Sequence, residues 1–276
     1  MAGAGYTAPM QSSTVAFIGG GNMASALIGG LLKTGRPSTD ILVVEPFEAQ
    51  RAKLAQQFGV KAEPAAGPAL ARAGTVVWAV KPQMFAEAAA PCAAFVAGAL
   101  QLSVMAGIRS EALVRATGSE RVVRAMPNTP ALIGRGIAGL YARPAVSAAE
   151  RAAVEALLAP TGQTLWVAQE SQLDAVTAVS GSGPAYVFYV LEAMMEAAAE
   201  IGLTPEQGRT LAIATFDGAA ALAAASALAP AELRAQVTSK GGTTHAAITT
   251  LEASGVKAAF VKALHAARDR AEELGR

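Results

Sequence analysis

One cysteine, Cys92, in a chain of 276 residues leaves no intrachain disulfide to be made. A chain without that cross-link fits a reducing compartment, so a cytoplasmic protein is expected. Charge of one sign is also lacking: 22 Lys+Arg stand against 21 Asp+Glu, a net charge of +1. No broad electropositive surface follows, and nucleic acid is not an expected partner. Hydrophobic residues make up 53% of the chain, but much of that is alanine. No run reaches the roughly 18 strongly apolar, glycine-poor residues that span a bilayer, so no membrane is expected. The opening "MAGAGYTAPMQSST" has no basic stretch followed by an apolar core, and residues 1–14 read as a flexible tail. No metal-ligand cluster, Ser-His-Asp set or paired carboxylate is evident.

What is present falls into two halves. From Val15 to Ala168, β-branched runs such as "VAFIG" (15–19), "ILVVE" (41–45), "TVVWAV" (75–80) and "RVVRAMP" (121–127) alternate with helical patterns. That rhythm marks βαβ units and a mostly parallel sheet, an α/β domain over 15–168. Beyond Glu170 the strand signal stops. Val187, Val190, Leu191, Met194 and Met195 recur at helix spacing, and "TPEQ" opens another helix with Thr204 as N-cap, Pro205 at the first turn and Gln207 completing a capping box. Residues 169–276 are therefore expected to form an all-helical domain. Helices so rich in alanine bury little area each at about 25 cal/mol per Å², so this half is expected to complete its core against a second copy.

The first strand runs into Gly19-x-Gly21-x-x-Ala24, with Glu45 following 21 residues after Ala24 at the end of the second strand. Together these form the fingerprint of a Rossmann dinucleotide site. Gly19 allows the turn, Gly21 lets a pyrophosphate approach N–H groups at a helix N-terminus, and Ala24 keeps helix and strand close. A carboxylate at Glu45 can accept ribose hydroxyls of NAD and repels the 2′-phosphate of NADP, a repulsion that Arg51 and Lys53 could soften. "AVKPQ" (79–83) ends a later strand, where the ligand crevice of such sheets lies.

Five stretches in order, "FIGGGNMASALIGGL", "AVKPQ", "MPNTPALIGRG", "AVSGSGPAYVFYVLEAM" and "VTSKGGTTHAAITTLE", resemble the pyrroline-5-carboxylate reductases, which catalyse the last step of proline biosynthesis. The resemblance runs from Val15 to the C-terminus. It implies a domain holding NADPH or NADH, a helical dimerisation domain, often a ring of five dimers, and 1-pyrroline-5-carboxylate as substrate between the nicotinamide and the helices. It also implies that Ile18, Gly19, Gly20, Gly21, Asn22 and Met23 form the phosphate loop and that Ala79, Val80, Lys81 and Pro82 form a second cofactor segment. Asn128 would lie beside the nicotinamide, with "SGSGPAY" and its Ser182 packed against the reacting ring. Three departures stand out: no Asn follows the third strand in "EPAAGPAL", Glu45 replaces uncharged or basic residues, and Lys240 replaces the proline of a Ser-Pro-Gly-Gly turn.

Hydride addition to a cyclic imine asks mainly for orientation and a hydrogen bond at nitrogen. "VTSKGGTTHAAI" (237–248) reads as the substrate clamp. Gly241 and Gly242, leading into a helix starting near Thr243, would offer free N–H groups to the substrate carboxylate, with Ser239 adding a hydroxyl. Thr244 matches the family threonine beside the substrate nitrogen and is the candidate catalytic donor. His245 should point roughly 100° away from it. The alternatives are another imine or β-hydroxyacid-type NAD(P)-dependent oxidoreductase, or a non-catalytic NAD(P)-binding protein. The absence of lysine between Glu170 and Arg209 counts against the β-hydroxyacid type.

Overall fold

A computed structural model describes residues 14–275. The chain divides into two compact units. The first runs to Gly181 and takes in the chain from Arg268 onward, and the second spans Ser182–Ala267. The expected tail lies outside the described residues except for Thr14, which opens the first strand.

The first unit contains β1 (Thr14–Ile18), α1 (Asn22–Lys33), β2 (Ile41–Val44), α2 (Glu48–Phe58), β3 (Ala62–Glu63), β4 (Ala73–Trp78), α3 (Phe85–Ala89), α4 (Ala93–Val96), β5 (Leu100–Ser103), α5 (Ser110–Thr117), β6 (Val122–Met126), β7 (Gly136–Ala142), α6 (Ala148–Leu158), β8 (Gly162–Trp166) and α7 (Gln172–Val176). The eight strands make one sheet in the order β3-β2-β1-β4-β5-β6-β7-β8. Every pairing is parallel except β6 with β7. The central strands are buried on both faces, which is why they read as continuous apolar runs. Val15 and Phe17 face the layer built by α1 and α6, while Ala16 and Ile18 face Trp78, Phe85 and Leu113 on the other side. Leu27, Ile28 and Leu31 of α1 are buried, each stabilising the unit by roughly 1.5–3 kcal/mol.

Packing carries the first unit past the change of pattern at Ala168. Val176 lies so close to Gly139 that a side chain there would meet it at 2.6 Å, and a side chain on Gly181 would meet Met126 at 2.7 Å. Between α7 and the second unit, Thr177–Gly181 form a π-helical turn. Such turns carry a stretched ladder and recur at functional sites.

The second unit is helical, as expected: α8 (Gly183–Glu200), α9 (Pro205–Ala225), α10 (Pro230–Gln236), α11 (Thr243–Ala253) and α12 (Val256–Leu274), the last of which ends in the first unit. The capping box at Thr204 and Gln207 forms as read. Among the residues of these five helices only Gly208 and Ala212 are buried. Phe188, Tyr189, Leu211, Leu222, Phe260 and Val261 are all exposed. Within the described residues, no single helix is long and apolar enough to cross a membrane.

Candidate active site

The sheet changes direction between β1 and β4, since β2 follows β1 on one side and β4 joins it on the other. Ligands of open α/β sheets bind at such a switch point, beyond the carboxyl ends of the strands. A cleft of about 750 Å³ opens there, lined by Ile18, Gly19, Gly21, Glu45, Ala79, Val80 and Lys81 of the expected set. Gly20, Asn22, Met23 and Pro82 adjoin those residues in the chain without lining the cleft.

Two of the glycines do different work. Gly19 has φ +96°, and a side chain on it would sit 2.8 Å from the Ala79 carbonyl oxygen. The conformation and the contact with β4 both demand glycine. At Gly21 a side chain would meet nothing within 4 Å on the protein, so the space beside it belongs to the cleft. Gly21 is also the N-cap of α1, with no side-chain cap and no acidic residue in the first turn. The first-turn N–H groups and the positive end of the helix dipole thus remain available to an anion. A cleft of this size with that cradle fits a dinucleotide.

Glu45 is buried. One carboxylate oxygen accepts the Gly20 N–H at 2.8 Å and the other the Phe47 N–H at 2.9 Å. Arg51 folds back onto the main chain, donating to the carbonyls of Glu45 and Pro46. Lys53 remains at the cleft wall. Other residues that line the cleft were not legible in the sequence: Phe47, Gln50, Pro64, Ala65, Ala66, Met84, Ala88, Pro91 and Cys92. The missing Asn of "EPAAGPAL" is thus replaced by an apolar wall. Burial pushes the Cys92 thiol up to about 11, so it stays protonated at neutral pH.

Asn128 is committed to the main chain. Its side-chain NH₂ donates to the Ser180 carbonyl and its side-chain oxygen accepts the Ile137 N–H. It therefore joins the turn after β6 to the π-helical turn. Ser182 is the N-cap of α8 and makes no side-chain cap.

A charged network anchors α7. Arg124, buried in β6, donates to Glu170, which also accepts the N–H and hydroxyl of Ser110 at the start of α5. Burial works against the Glu170 charge, but the Ser110 and Arg124 hydrogen bonds outweigh it and hold the carboxyl below its ordinary range. Burial also pulls the Arg124 guanidinium down, and its Nε has no partner. One turn on, Arg109 pairs with Asp174 at 2.8 Å.

In the second unit the helix α11 begins at Thr243, where it was expected, after Gly241 with φ +76°. One expectation needs correcting: the Gly242 N–H is not free but donates to the Ser239 carbonyl at 3.0 Å. Gly242 caps α11 without a side-chain bond, and the first intrahelical acceptance is Ala246 N–H by Gly242 O. The open donors of α11 are therefore those of Thr243, Thr244 and His245, the residues directly after Gly242. A side chain on Gly242 would stand 2.7 Å from the Ser239 hydroxyl oxygen. Thr238 and Thr250 donate their hydroxyls to carbonyls four residues back. Among the described residues Thr244 makes no such bond, and it is half-buried while His245 is exposed.

A doubly wound sheet with a glycine turn at its switch point and an open helix N-terminus defines a dinucleotide-binding protein. Two family models match the chain: "NADP oxidoreductase coenzyme F420-dependent" over residues 14–107 and "Pyrroline-5-carboxylate reductase dimerisation" over 170–274. The pyrroline-5-carboxylate reductase of Pseudomonas aeruginosa is 46% identical over 96% of this chain and 98% of its own length. That of Haemophilus influenzae is 42% identical with the same coverage. A solved pyrroline-5-carboxylate reductase from Coxiella burnetii superposes with a TM-score of 0.90 at 34% identity, over 96% of this chain and all of the other. The chain belongs to the pyrroline-5-carboxylate reductase family.

Proposed function

We propose that the protein reduces 1-pyrroline-5-carboxylate to L-proline with NADH or NADPH, the last step of proline biosynthesis. The observation that carries this reading is the end-to-end similarity to reductases of that name, spanning both units at 46% identity. When bound, NAD(P)H supplies the hydride. Ile18 to Met23 and Ala79 to Pro82 hold the dinucleotide, with the open N–H groups after Gly21 meeting its pyrophosphate. The Glu45 charge near the ribose favours NADH use at least comparable to that of NADPH.

On the substrate side, the open N–H groups of Thr243, Thr244 and His245, with the Ser239 hydroxyl, hold the carboxylate at the positive end of α11. The Thr244 hydroxyl, free of its own helix, hydrogen-bonds the imine nitrogen. A hydrogen-bonded or protonated C=N carbon is more electrophilic, so this bond strengthens as charge develops and lowers the barrier. Lys240 adds positive charge beside the carboxylate site. Asn128 acts through Ser180, fixing the π-helical turn that leads to Ser182.

The homodimer forms through the helical unit, whose apolar residues find almost no core within one chain. Five such dimers closing a ring, in the cytoplasm, complete the proposal. Loss of NAD(P)H absorbance on adding 1-pyrroline-5-carboxylate, with proline as product, tests the activity. Turnover of a β-hydroxyacid instead would replace the reading.

A further inference from the structure

Gly20 is gripped at both ends. Its N–H donates to Glu45 at 2.8 Å, and its carbonyl accepts from the Gln50 amide at 2.5 Å and the Ser25 hydroxyl at 3.3 Å. In a trans peptide the N–H points opposite to the C=O across the plane. Holding the Gly20 carbonyl against Gln50 and Ser25 therefore turns the Gly21 N–H the other way, and Gly21 lines the cleft. The space beside Gly20 is also filled: a side chain on it would strike Leu54 at 2.7 Å and the Glu45 carboxylate at 3.3 Å. The Glu45 side chain is itself fixed by the Phe47 N–H, and its main-chain carbonyl by Arg51.

We propose that Glu45 and Gln50 are positioning residues of the phosphate site: acting through Gly20, they aim the Gly21 N–H at the pyrophosphate. The proposal rests on the dinucleotide reading of the cleft. It departs from a role for Glu45 confined to accepting ribose hydroxyls, because a carboxylate that shapes the loop acts on any dinucleotide, whatever its ribose carries.

The distinguishing ligand is NADH with a 2′,3′-dideoxy adenosine ribose. Calorimetric Kd values for NADH and for this analogue are compared in the wild type, Glu45→Gln and Gln50→Ala, with thermal unfolding of each. Glu45→Gln is expected to weaken both ligands by a common factor of about tenfold, the worth of one hydrogen bond to a charged group. Gln50→Ala, which leaves the carboxylate in place, is expected to weaken both by about threefold to fivefold, as for a neutral hydrogen bond. The loss should fall on the cofactor Kd and KM far more than on kcat at saturating cofactor or on the melting temperature, a split that a general loss of structure would not give. Should Glu45→Gln fail to fold, Gln50→Ala alone carries the test. Glu45→Gln weakening NADH while sparing the dideoxy analogue would overturn the proposal in favour of direct ribose contact, as would wild-type affinities in Gln50→Ala. A wild type that binds neither ligand would instead remove the dinucleotide reading itself.

Discussion

Breaking the Arg124–Glu170 pair from its two sides should give unequal losses. Arg124 has a side chain 5% exposed, an unpartnered Nε and Glu170 as its hydrogen-bonded counter-ion. Glu170→Gln removes that charge and sets an amide against the guanidinium, leaving a buried cation uncompensated. The expected cost is about 3–5 kcal/mol. Arg124→Met leaves Glu170 with both Ser110 bonds, the N-terminus of α5 and 22% side-chain exposure to water. Its cost should stay at about 1–3 kcal/mol, that of one lost partner. Both tryptophans, Trp78 and Trp166, lie in the sheet unit, so urea unfolding followed by tryptophan fluorescence reports on this unit. The pH dependence follows from the depressed Glu170 carboxyl. A group whose folded pKa is lowered stabilises the fold above its unfolded value of 4.5, and that stability is lost as pH falls through the folded pKa. The gap between wild type and Glu170→Gln should be constant near neutrality and close below pH 4.5. Equal losses from the two sides, or a gap that widens in acid, would refute the reasoning.

Thr244→Ala should lower kcat on the order of 10-fold or more, for about 1.4 kcal/mol of lost transition-state bonding, with cofactor KM unmoved. Thr244→Ser should keep much of the activity, whereas normal turnover in Thr244→Ala with a dead His245→Ala would move the donor to the histidine. Gly242→Val should raise the substrate KM, because any side chain there strikes the Ser239 hydroxyl. Gly21→Ala should leave thermal stability unchanged and raise the KM for NAD(P)H, since its side chain enters only the cleft. Gly19→Ala should cost stability by about 1–3 kcal/mol at a strained φ, and similar melting curves for the two would contradict the assignment. Light scattering at micromolar concentration should find at least a dimer, and an active monomer would contradict the role of the helical unit.

The doubly wound sheet was legible because its inner strands are buried on both faces and so carry unbroken β-branched runs. β3 was not, since Ala62 and Glu63 have neither alternation nor branching and owe their place to pairing with β2. The antiparallel entry of β7 was equally hidden, because strand direction leaves no mark on composition. At the site, Gly19, Gly21 and Glu45 were readable from spacing tied to a known geometry. That Glu45 spends both oxygens on N–H groups was not, because backbone amides look alike in every sequence. The pairs of Arg124 with Glu170 and Arg109 with Asp174 join residues 46 and 65 positions apart. Nothing local in the chain announces them. The N-terminus of α11 was read from its glycines, yet the Ser239 carbonyl takes the Gly242 N–H, a turn closure that only the folded backbone reveals.

The most direct test is the rate of NAD(P)H oxidation by the purified protein with 1-pyrroline-5-carboxylate, measured beside Thr244→Ala and with proline quantified as product. The expected result is stoichiometric proline from NADH and NADPH in the wild type, with kcat reduced about tenfold in the variant at unchanged cofactor KM. Cofactor binding with no turnover of the imine would contradict the reductase reading.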